Sequence, residues 1–521
     1  MMKTALQVVC FALLMTLLAP VAAAAPRPER TVADEAHTAD SGFAVRDERV
    51  QSYFEAFSTG DPQAYRRWLE HNRTPASLGS NIETRLAQYR DDFTRWGTLT
   101  IGQLRVTERG SVEAVVRASE TGEQLTFLFD FQHQEPFLVS ALHIRVGGPP
   151  EDEIIFPEDW NSLDELAQTA RTASGVPALA IGVYHGGAAV TAVAGVRRSD
   201  APDLARIDDA FAWGSVTKSV TGTMLGALID RGVLDWNTTI GDVLGEAPID
   251  PSYRDVTLWQ LMAHQAGIAA YTRLDPAFDR EIAALPGVTL ELKRAAFVEQ
   301  MLRQPPAYTP GTSAQYSNGG PTVAARMAEV VSGKSWEQLV RETVFDPLHL
   351  ETAGFGLPVT PAHPDGVYGH VAVSPGQFEP VPAGQGMPDP DVLAPAGAVR
   401  SSIGDFLLYG IAHLKGMTGE EDAFPADLIR SLHTPQSGQP QSLGEEYTFG
   451  WGSDCPAGLP QQMRCQGHNG SNGAYYARIL ILPDKDMVIV FMANGMPAAE
   501  AVSSSLFGAI YNHAEQGKSF E

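Results

Sequence analysis

Lysine is scarce in this chain: only seven of its 37 basic residues are lysines, in 521 residues overall. Basic charge is outweighed by 62 acidic residues, for a formal net charge of -25. Such a surface repels phosphate backbones and anionic headgroups, which argues against nucleic-acid and anionic-membrane partners. Cysteine is nearly absent, with Cys10, Cys455 and Cys465 the only three. Without clustered histidines, these make no structural zinc site. There is no His-Glu-x-x-His zinc motif and no phosphate-cradling Gly-rich loop. There is no Gly-x-Ser-x-Gly elbow either, which argues against an α/β-hydrolase. No cofactor or metal is called for. Past residue 25 no run approaches the roughly 20 apolar residues of a membrane-spanning helix. Internal repeats and low-complexity tracts are missing as well. What is there is 44% hydrophobic and 19% charged, enough apolar surface for a large core.

The N-terminus stands apart. Lys3 is the only charge before Arg27, an apolar stretch runs from Ala5 to Val21, and Ala22 to Ala25 follow. This reads as a signal peptide, residues 1–24, cleaved between Ala24 and Ala25. An uncleaved anchor is the alternative. Cys10 lies too deep in the apolar stretch for a lipid-modified N-terminus. The expectation is an exported protein, periplasmic or secreted, with no stable membrane insertion after cleavage. The remaining pair, Cys455 and Cys465, forms a disulfide in an oxidising compartment or stays as two thiols.

Residues 25–42 are polar and read as a flexible leader. Between 43 and 147 the pattern changes period. Val50, Tyr53, Phe54 and Phe57 mark a helix face, as do Tyr65, Trp68 and Leu69, and then Ile82, Leu86, Tyr89, Phe93 and Trp96. Strand-like runs follow at about 99–107, 111–118, 125–131 and 136–146. Helices followed by a strand meander make a small α+β domain. Gly147-Gly-Pro-Pro150 and the acidic residues after it read as a linker over 148–159. Residues 160–515 read as one larger domain, with 516–521 as a tail. The larger domain opens with strands at 177–184 and 188–196, joined by a turn at His185-Gly186-Gly187. It continues through a long helical middle, and closes with strands at about 475–482 and 486–493 and a C-terminal helix.

Three motifs carry chemistry. The first is Ser215-Val-Thr-Lys218, on a segment whose Val220, Met224 and Leu228 share a helix face. At a spacing of three, the two side chains are neighbours. A neutral lysine can take the proton that makes the serine a nucleophile, provided its surroundings lower its pKa by several units. With seven lysines, chance gives well under one Ser-x-x-Lys. The second motif is Tyr316-Ser-Asn318, after the turn at Pro310-Gly311. A tyrosine beside a lysine relays protons, and an asparagine amide holds a substrate carbonyl. The third is Gly467-His468-Asn-Gly470-Ser471, where glycine admits close approach of substrate backbone. A backbone N–H there could complete an oxyanion hole with that of Ser215. His264, in an apolar run, reads as a satisfied core histidine, and Asp454 as a loop residue.

Ser-x-x-Lys, Tyr-x-Asn about 100 residues later and His-x-Gly near the last strands together resemble the penicillin-recognising serine hydrolases. The resemblance is to the branch with class C β-lactamases, D-Ala-D-Ala carboxypeptidases, D-aminopeptidases and related esterases. Leu261-Met-Ala-His-Gln-Ala-Gly267, Pro395-Ala-Gly397 and Phe449-Gly-Trp451 look like that branch too, and the likeness covers about 160–515. It implies an α+β fold with an antiparallel sheet flanked by helices, and an all-helical lobe. It implies Ser215 as the acylated nucleophile, Lys218 as its base and Tyr316 in proton transfer. Asn318 would contact the substrate, His468 and Gly470 would line the strand edge, and the N–H groups of Ser215 and Ser471 would form the oxyanion hole. The small domain, opened by Phe54-Glu-Ala-Phe-Ser-Thr-Gly-Asp61, resembles the NTF2-like cone fold, which implies either a ligand pocket or dimer contact, or a structural appendage.

One departure matters. β-Lactamases and carboxypeptidases of this superfamily usually carry Lys-Thr-Gly at the third motif, and here His468-Asn-Gly470 stands in its place. A histidine offers less positive charge to a substrate carboxylate at pH 7. The leading expectation is a serine hydrolase of small esters, then of peptide or D-amino-acid amides. A β-lactamase or carboxypeptidase is the alternative, and a non-catalytic peptidoglycan- or peptide-binding module is another. The partner is a small-molecule or peptide substrate. The sequence leaves the oligomeric state open.

Overall fold

The computed structural model describes residues 43–521 apart from 75–81, 107–110, 132–135, 147–153, 155, 158, 272–283, 286–288, 375, 385–390, 435–446, 453–454, 457–458, 461–462 and 497. The expected signal peptide and leader, Asp454 and most of the linker lie outside the described residues. The fold is mixed helix and antiparallel sheet, 42% and 22%. Among the described residues no helix is long and apolar enough to cross a membrane.

The small N-terminal unit places helices α1 (Phe43–Ser58), α2 (Pro62–Asn72) and α3 (Ile82–Trp96) before four strands, β1 (Leu99–Val106), β2 (Val112–Ala118), β3 (Gln124–Phe131) and β4 (Val139–Val146). These pair in sequence order as an antiparallel meander. The helix-period and alternating residues converge on one core, where Tyr53, Phe54 and Phe57 meet Phe127 and Phe129. Tyr53 and Phe54 take edge-on contacts with Phe129, the geometry aromatic pairs prefer.

The larger unit is built on a five-stranded antiparallel sheet. Its strands are β5 (Ala178–His185), β6 (Ala188–Gly195), β7 (Gln466–Ser471), β8 (Tyr476–Leu482) and β9 (Met487–Ala493). The spatial order is β7-β8-β9-β5-β6, so the first and last parts of the chain share one sheet. Alternate residues point to opposite faces. Leu179, Ile181 and Val183 enter the core under α4 (Leu163–Ser174) and, near the C-terminus, Ala498–Glu515. Ile479, Ile481, Val488 and Val490 enter the core on the other side. Because β8 and β9 are covered on both faces, they read as apolar runs interrupted only by Arg478.

Between β6 and β7 lie most of the helices of this unit, some of which pack on the second face of the sheet. Helix α5 (Thr217–Asp230) follows Ser215 and is buried nearly all round. Such a helix needs every polar side chain satisfied. Its Ser219 donates to Val216 O at 2.8 Å, and its Thr221 to Pro395 O at 2.7 Å. Further along come α6 (Leu290–Arg303), α7 (Gly319–Ser332), α8 (Ile403–Thr418) and α9 (Ala426–Leu432), with the C-terminal helix Ala498–Glu515 as α10.

Residues 516–521 do not form a free tail. Phe520 is buried against Trp160 and His513, and its carbonyl accepts the N–H of Leu163 at 3.0 Å. That aromatic completes the core between α4 and α10. Cys455 and Cys465 are joined, with a Cα–Cα distance of 5.3 Å, which closes the loop directly before β7.

Candidate active site

Ser215 sits in a single 3-10 turn, Gly214–Val216, immediately before α5. The turn follows from Gly214, whose φ of 53° lies in the left-handed region that glycine enters without penalty. Lys218 is one turn further on and has no exposed surface. Its Nζ lies 3.0 Å from Ser215 Oγ and 2.9 Å from Ala396 O. Both of these neighbours are uncharged.

Tyr316 covers the same amine, with Lys218 Nζ 4.6 Å from its ring centroid. Two residues outside the three motifs join it. The ring of His264 is 4.6 Å from that of Tyr316 and 4.8 Å from that of Tyr447. Tyr447 OH in turn lies 3.1 Å from His468 Nε2. The Nδ1 of His468 is 2.6 Å from Asn469 O, so it carries the proton and Nε2 accepts from Tyr447. Burial pushes the His468 imidazole down, and Lys218 in its protonated form pushes it further, to about 3. Burial thus favours the neutral imidazole whichever form Lys218 takes. Burial also raises the Tyr447 phenol well above 10, and Tyr316 adds to this. Tyr447 therefore remains a donor throughout the physiological range.

His264 is buried, as its apolar neighbours predict, but only one of its nitrogens is satisfied. Ser317 N donates to its Nδ1 at 3.2 Å, while Nε2 has no hydrogen-bond partner. It also holds a φ of 59°, which is uncommon away from glycine. Its carbonyl accepts from Gln315 N at 2.8 Å and Tyr308 OH at 2.7 Å, which ties the Tyr316 loop to it. Burial, then Lys218, hold its imidazole well below its ordinary value.

The third motif is itself a strand, β7, at the edge of the five-stranded sheet. Gly467 exchanges both backbone hydrogen bonds with Gly452, each at 2.8 Å, on the side away from β8. By the two-residue period, Ser471 turns its N–H to that same outer side. There it meets the nucleophile turn. A Cβ built on Gly214 would lie 2.5 Å from Ser471 N, and one built on Gly470 would lie 2.5 Å from Ser215 N. The N–H groups of Ser215 and Ser471 thus occupy neighbouring positions. Asn318 is buried beside Tyr316's loop. Its Nδ2 donates to Tyr271 O at 3.0 Å, and its Oδ1 is left without a partner.

The structure therefore brings Ser215, Lys218, Tyr316, His468, Gly470 and Ser471 to one place. It turns the Asn318 amide group to a backbone carbonyl and adds His264 and Tyr447. Nothing in the sequence singles out Tyr447, but it lies two residues before the quoted Phe449-Gly-Trp451. Residues 163–507 match the family described as Beta-lactamase. The chain belongs to the β-lactamase family. It is a serine hydrolase of that family. It is 26% identical to penicillin-binding protein 4 of Amycolatopsis lactamdurans, over 68% of this chain and 89% of that protein. It is 28% identical to the lovastatin esterase of Penicillium rubens, over 30% of this chain and 41% of the esterase. In structure it resembles a D-stereospecific amidohydrolase from Streptomyces sp., with a TM-score of 0.50 and 22% identity, covering 66% of this chain and 98% of that one.

Proposed function

We propose that this β-lactamase-family hydrolase cleaves small esters through an acyl-enzyme on Ser215, with peptide or D-amino-acid amides next in preference and β-lactams last. The observation that carries this is His468 itself, an imidazole that accepts from Tyr447 at 3.1 Å where a lysine would supply a fixed cation. A β-lactam or a C-terminal D-Ala presents a carboxylate, and recognition of that group gains most from a fixed positive charge. An ester makes no such demand. The names of the esterase and the amidohydrolase among the similar proteins favour the same two substrate classes.

Acylation proceeds as Ser215 Oγ attacks the substrate carbonyl carbon and gives its proton to neutral Lys218 Nζ at 3.0 Å. The carbonyl oxygen takes the developing charge between the N–H groups of Ser215 and Ser471. Collapse breaks the bond to the leaving oxygen, which receives the proton by way of Lys218 and Tyr316. Water then attacks the acyl carbon, Lys218 with Tyr316 accepts its proton, and Ser215 Oγ is reprotonated as the acid leaves. The free Oδ1 of Asn318 offers an acceptor to a substrate N–H, which serves the amide substrates. We also propose that residues 1–24 direct export. The Cys455–Cys465 bridge suits an oxidising compartment. The N-terminal unit we read as a cone-like accessory domain.

The test is intact-mass spectrometry after a fluorophosphonate probe, with Ser215→Ala as control. It is run beside turnover of a short-chain p-nitrophenyl ester and a chromogenic cephalosporin. One label lost in Ser215→Ala, with ester turnover well above cephalosporin turnover, is expected. Rapid cephalosporin turnover would overturn the substrate order, and an unlabelled Ser215 in folded protein would overturn the mechanism.

A further inference from the structure

Behind the site runs a buried line of side chains that the mechanism above does not use. It starts under the nucleophile, where Ser219 Oγ donates to Val216 O at 2.8 Å and accepts from Tyr409 OH at 2.9 Å. Thr223, one turn further along α5, lies 3.1 Å from Tyr409 OH and 3.2 Å from His413 Nε2. His413 Nδ1 is 2.9 Å from His433 Nε2, and His433 Nδ1 is 3.2 Å from the Gln466 side-chain oxygen. Gln466 is the first residue of β7, the strand that carries His468, Gly470 and Ser471. Every member of this line is buried. Trp451 packs over both imidazoles, at 4.7 and 4.5 Å, at the end of the turn that begins near Tyr447.

We propose that Thr223, His413, His433 and Gln466 are positioning residues that fix the oxyanion strand β7 against the nucleophile turn. The inference rests on the reading of Ser215 and β7 given above. The geometry is chemically particular. The Thr223 hydroxyl also donates to Ser219 O at 2.9 Å, and the Tyr409 proton goes to Ser219 Oγ, so His413 must donate from Nε2 to Thr223. His433 Nε2 then donates to His413 Nδ1, and the Gln466 amide turns its N–H to His433 Nδ1, so both histidines hold their one proton on Nε2. A second proton on either imidazole would set N–H against N–H between them, or against the donor at the far end. A buried line that is fully satisfied rigidifies the parts it joins, and one that is broken leaves an orphan. The parts joined here are the two halves of the oxyanion hole, whose donors stabilise charge that exists only in the transition state.

The test uses the full-length protein. Thr223→Val removes one hydroxyl at nearly constant shape, and Thr223→Ser restores it. With a p-nitrophenyl ester, Thr223→Val is expected to lower kcat about tenfold or more while KM stays within threefold. Labelling of Ser215 by a fluorophosphonate should slow in parallel, and Thr223→Ser should recover both. Wild-type rates in Thr223→Val would overturn the inference, as would a loss confined to KM. A wild-type protein that takes no label would instead overturn the reading of the site. Nitrogen-15 NMR of the wild-type histidines gives a second arm that needs no variant. At pH 7, His413 and His433 should both be neutral and share one tautomer. Opposite tautomers, or an imidazolium at either position, would overturn the inference.

Discussion

Gly470 presses its backbone against the peptide of Ser215. A methyl group built on Gly470 would lie 2.5 Å from the Ser215 nitrogen and 2.1 Å from Trp213 O. Neither neighbour is a flexible side chain, so β7 or the nucleophile turn must move to admit it. Gly470→Ala should therefore part the two oxyanion donors while leaving the hydrophobic cores intact. The expected result is a fall in kcat of about 10²–10³ with a cooperative thermal transition retained. Ester kinetics and a melting curve on the same preparation check it.

Lys218 has no exposed surface and touches Ser215 Oγ at 3.0 Å, so its replacement removes the base without a substitute at hand. Lys218→Ala is expected to cost about 10²–10⁴ in kcat. A loss smaller than tenfold in ester turnover would mean that another group deprotonates Ser215.

His468→Lys tests the basis of substrate choice. The Tyr447 hydroxyl that now donates to a neutral imidazole would accept from an ammonium instead, and the strand edge would gain a cation. Hydrolysis of a carboxylate-bearing cephalosporin should rise relative to that of a neutral ester, by about tenfold in the ratio of kcat/KM values for a bond worth about 1.4 kcal/mol. An unchanged ratio would place the discrimination elsewhere in the site.

The sequence makes the site's reacting groups legible because their types and spacing are constrained by the chemistry: a serine three residues before a lysine, then a tyrosine, then a glycine beside a backbone donor. It makes β8 and β9 legible because their faces are both buried, which leaves apolar runs interrupted only by Arg478. It does not make β7 legible as a strand. Gly467-His-Asn-Gly-Ser has no β-branched or aromatic residue, and its pairing comes from β8 and Gly452, not from its own propensity. His264 shows the same division. Its burial is readable from Leu261, Met262 and Ala263, whereas its unpaired Nε2 among two tyrosines depends on the meeting of distant segments. Tyr447, His413 and His433 are invisible for that reason, since each acts through a neighbour remote in sequence. The helices and strand meander of the first unit are legible in its change of hydrophobic period.

The Cys455–Cys465 bridge closes a short loop whose last residue abuts Gln466. Cross-linking residues separated by 10 positions removes chain entropy worth about 2–3 kcal/mol from the unfolded state. Reduction, or replacement of both cysteines by serine, should lower Tm by several degrees and loosen the entry to β7. Differential scanning calorimetry with and without reductant checks the first effect. Hydrogen exchange at residues 466–471 checks the second.

Acid should destabilise the protein over a defined window. Burial holds His413 well below its ordinary value, and burial brings His433 to about 3 and His370 to about 4. The groups facing the His413–His433 pair are Tyr409, Gln466 and the cation of Arg464, which opposes protonation further. In the unfolded chain these imidazoles titrate near 6.5. Between about 6.5 and the depressed folded values, the unfolded state binds more protons, so stability rises with pH there and is fully present above 6.5. At pH 5 each such histidine costs about 2 kcal/mol relative to pH 8. The midpoint of urea unfolding should therefore fall steeply from pH 7 to pH 5. His433→Phe, less stable at pH 8 because His413 loses a partner, should show a shallower slope by close to one proton. An unchanged slope in that variant would mean that His433 is already protonated in the native protein.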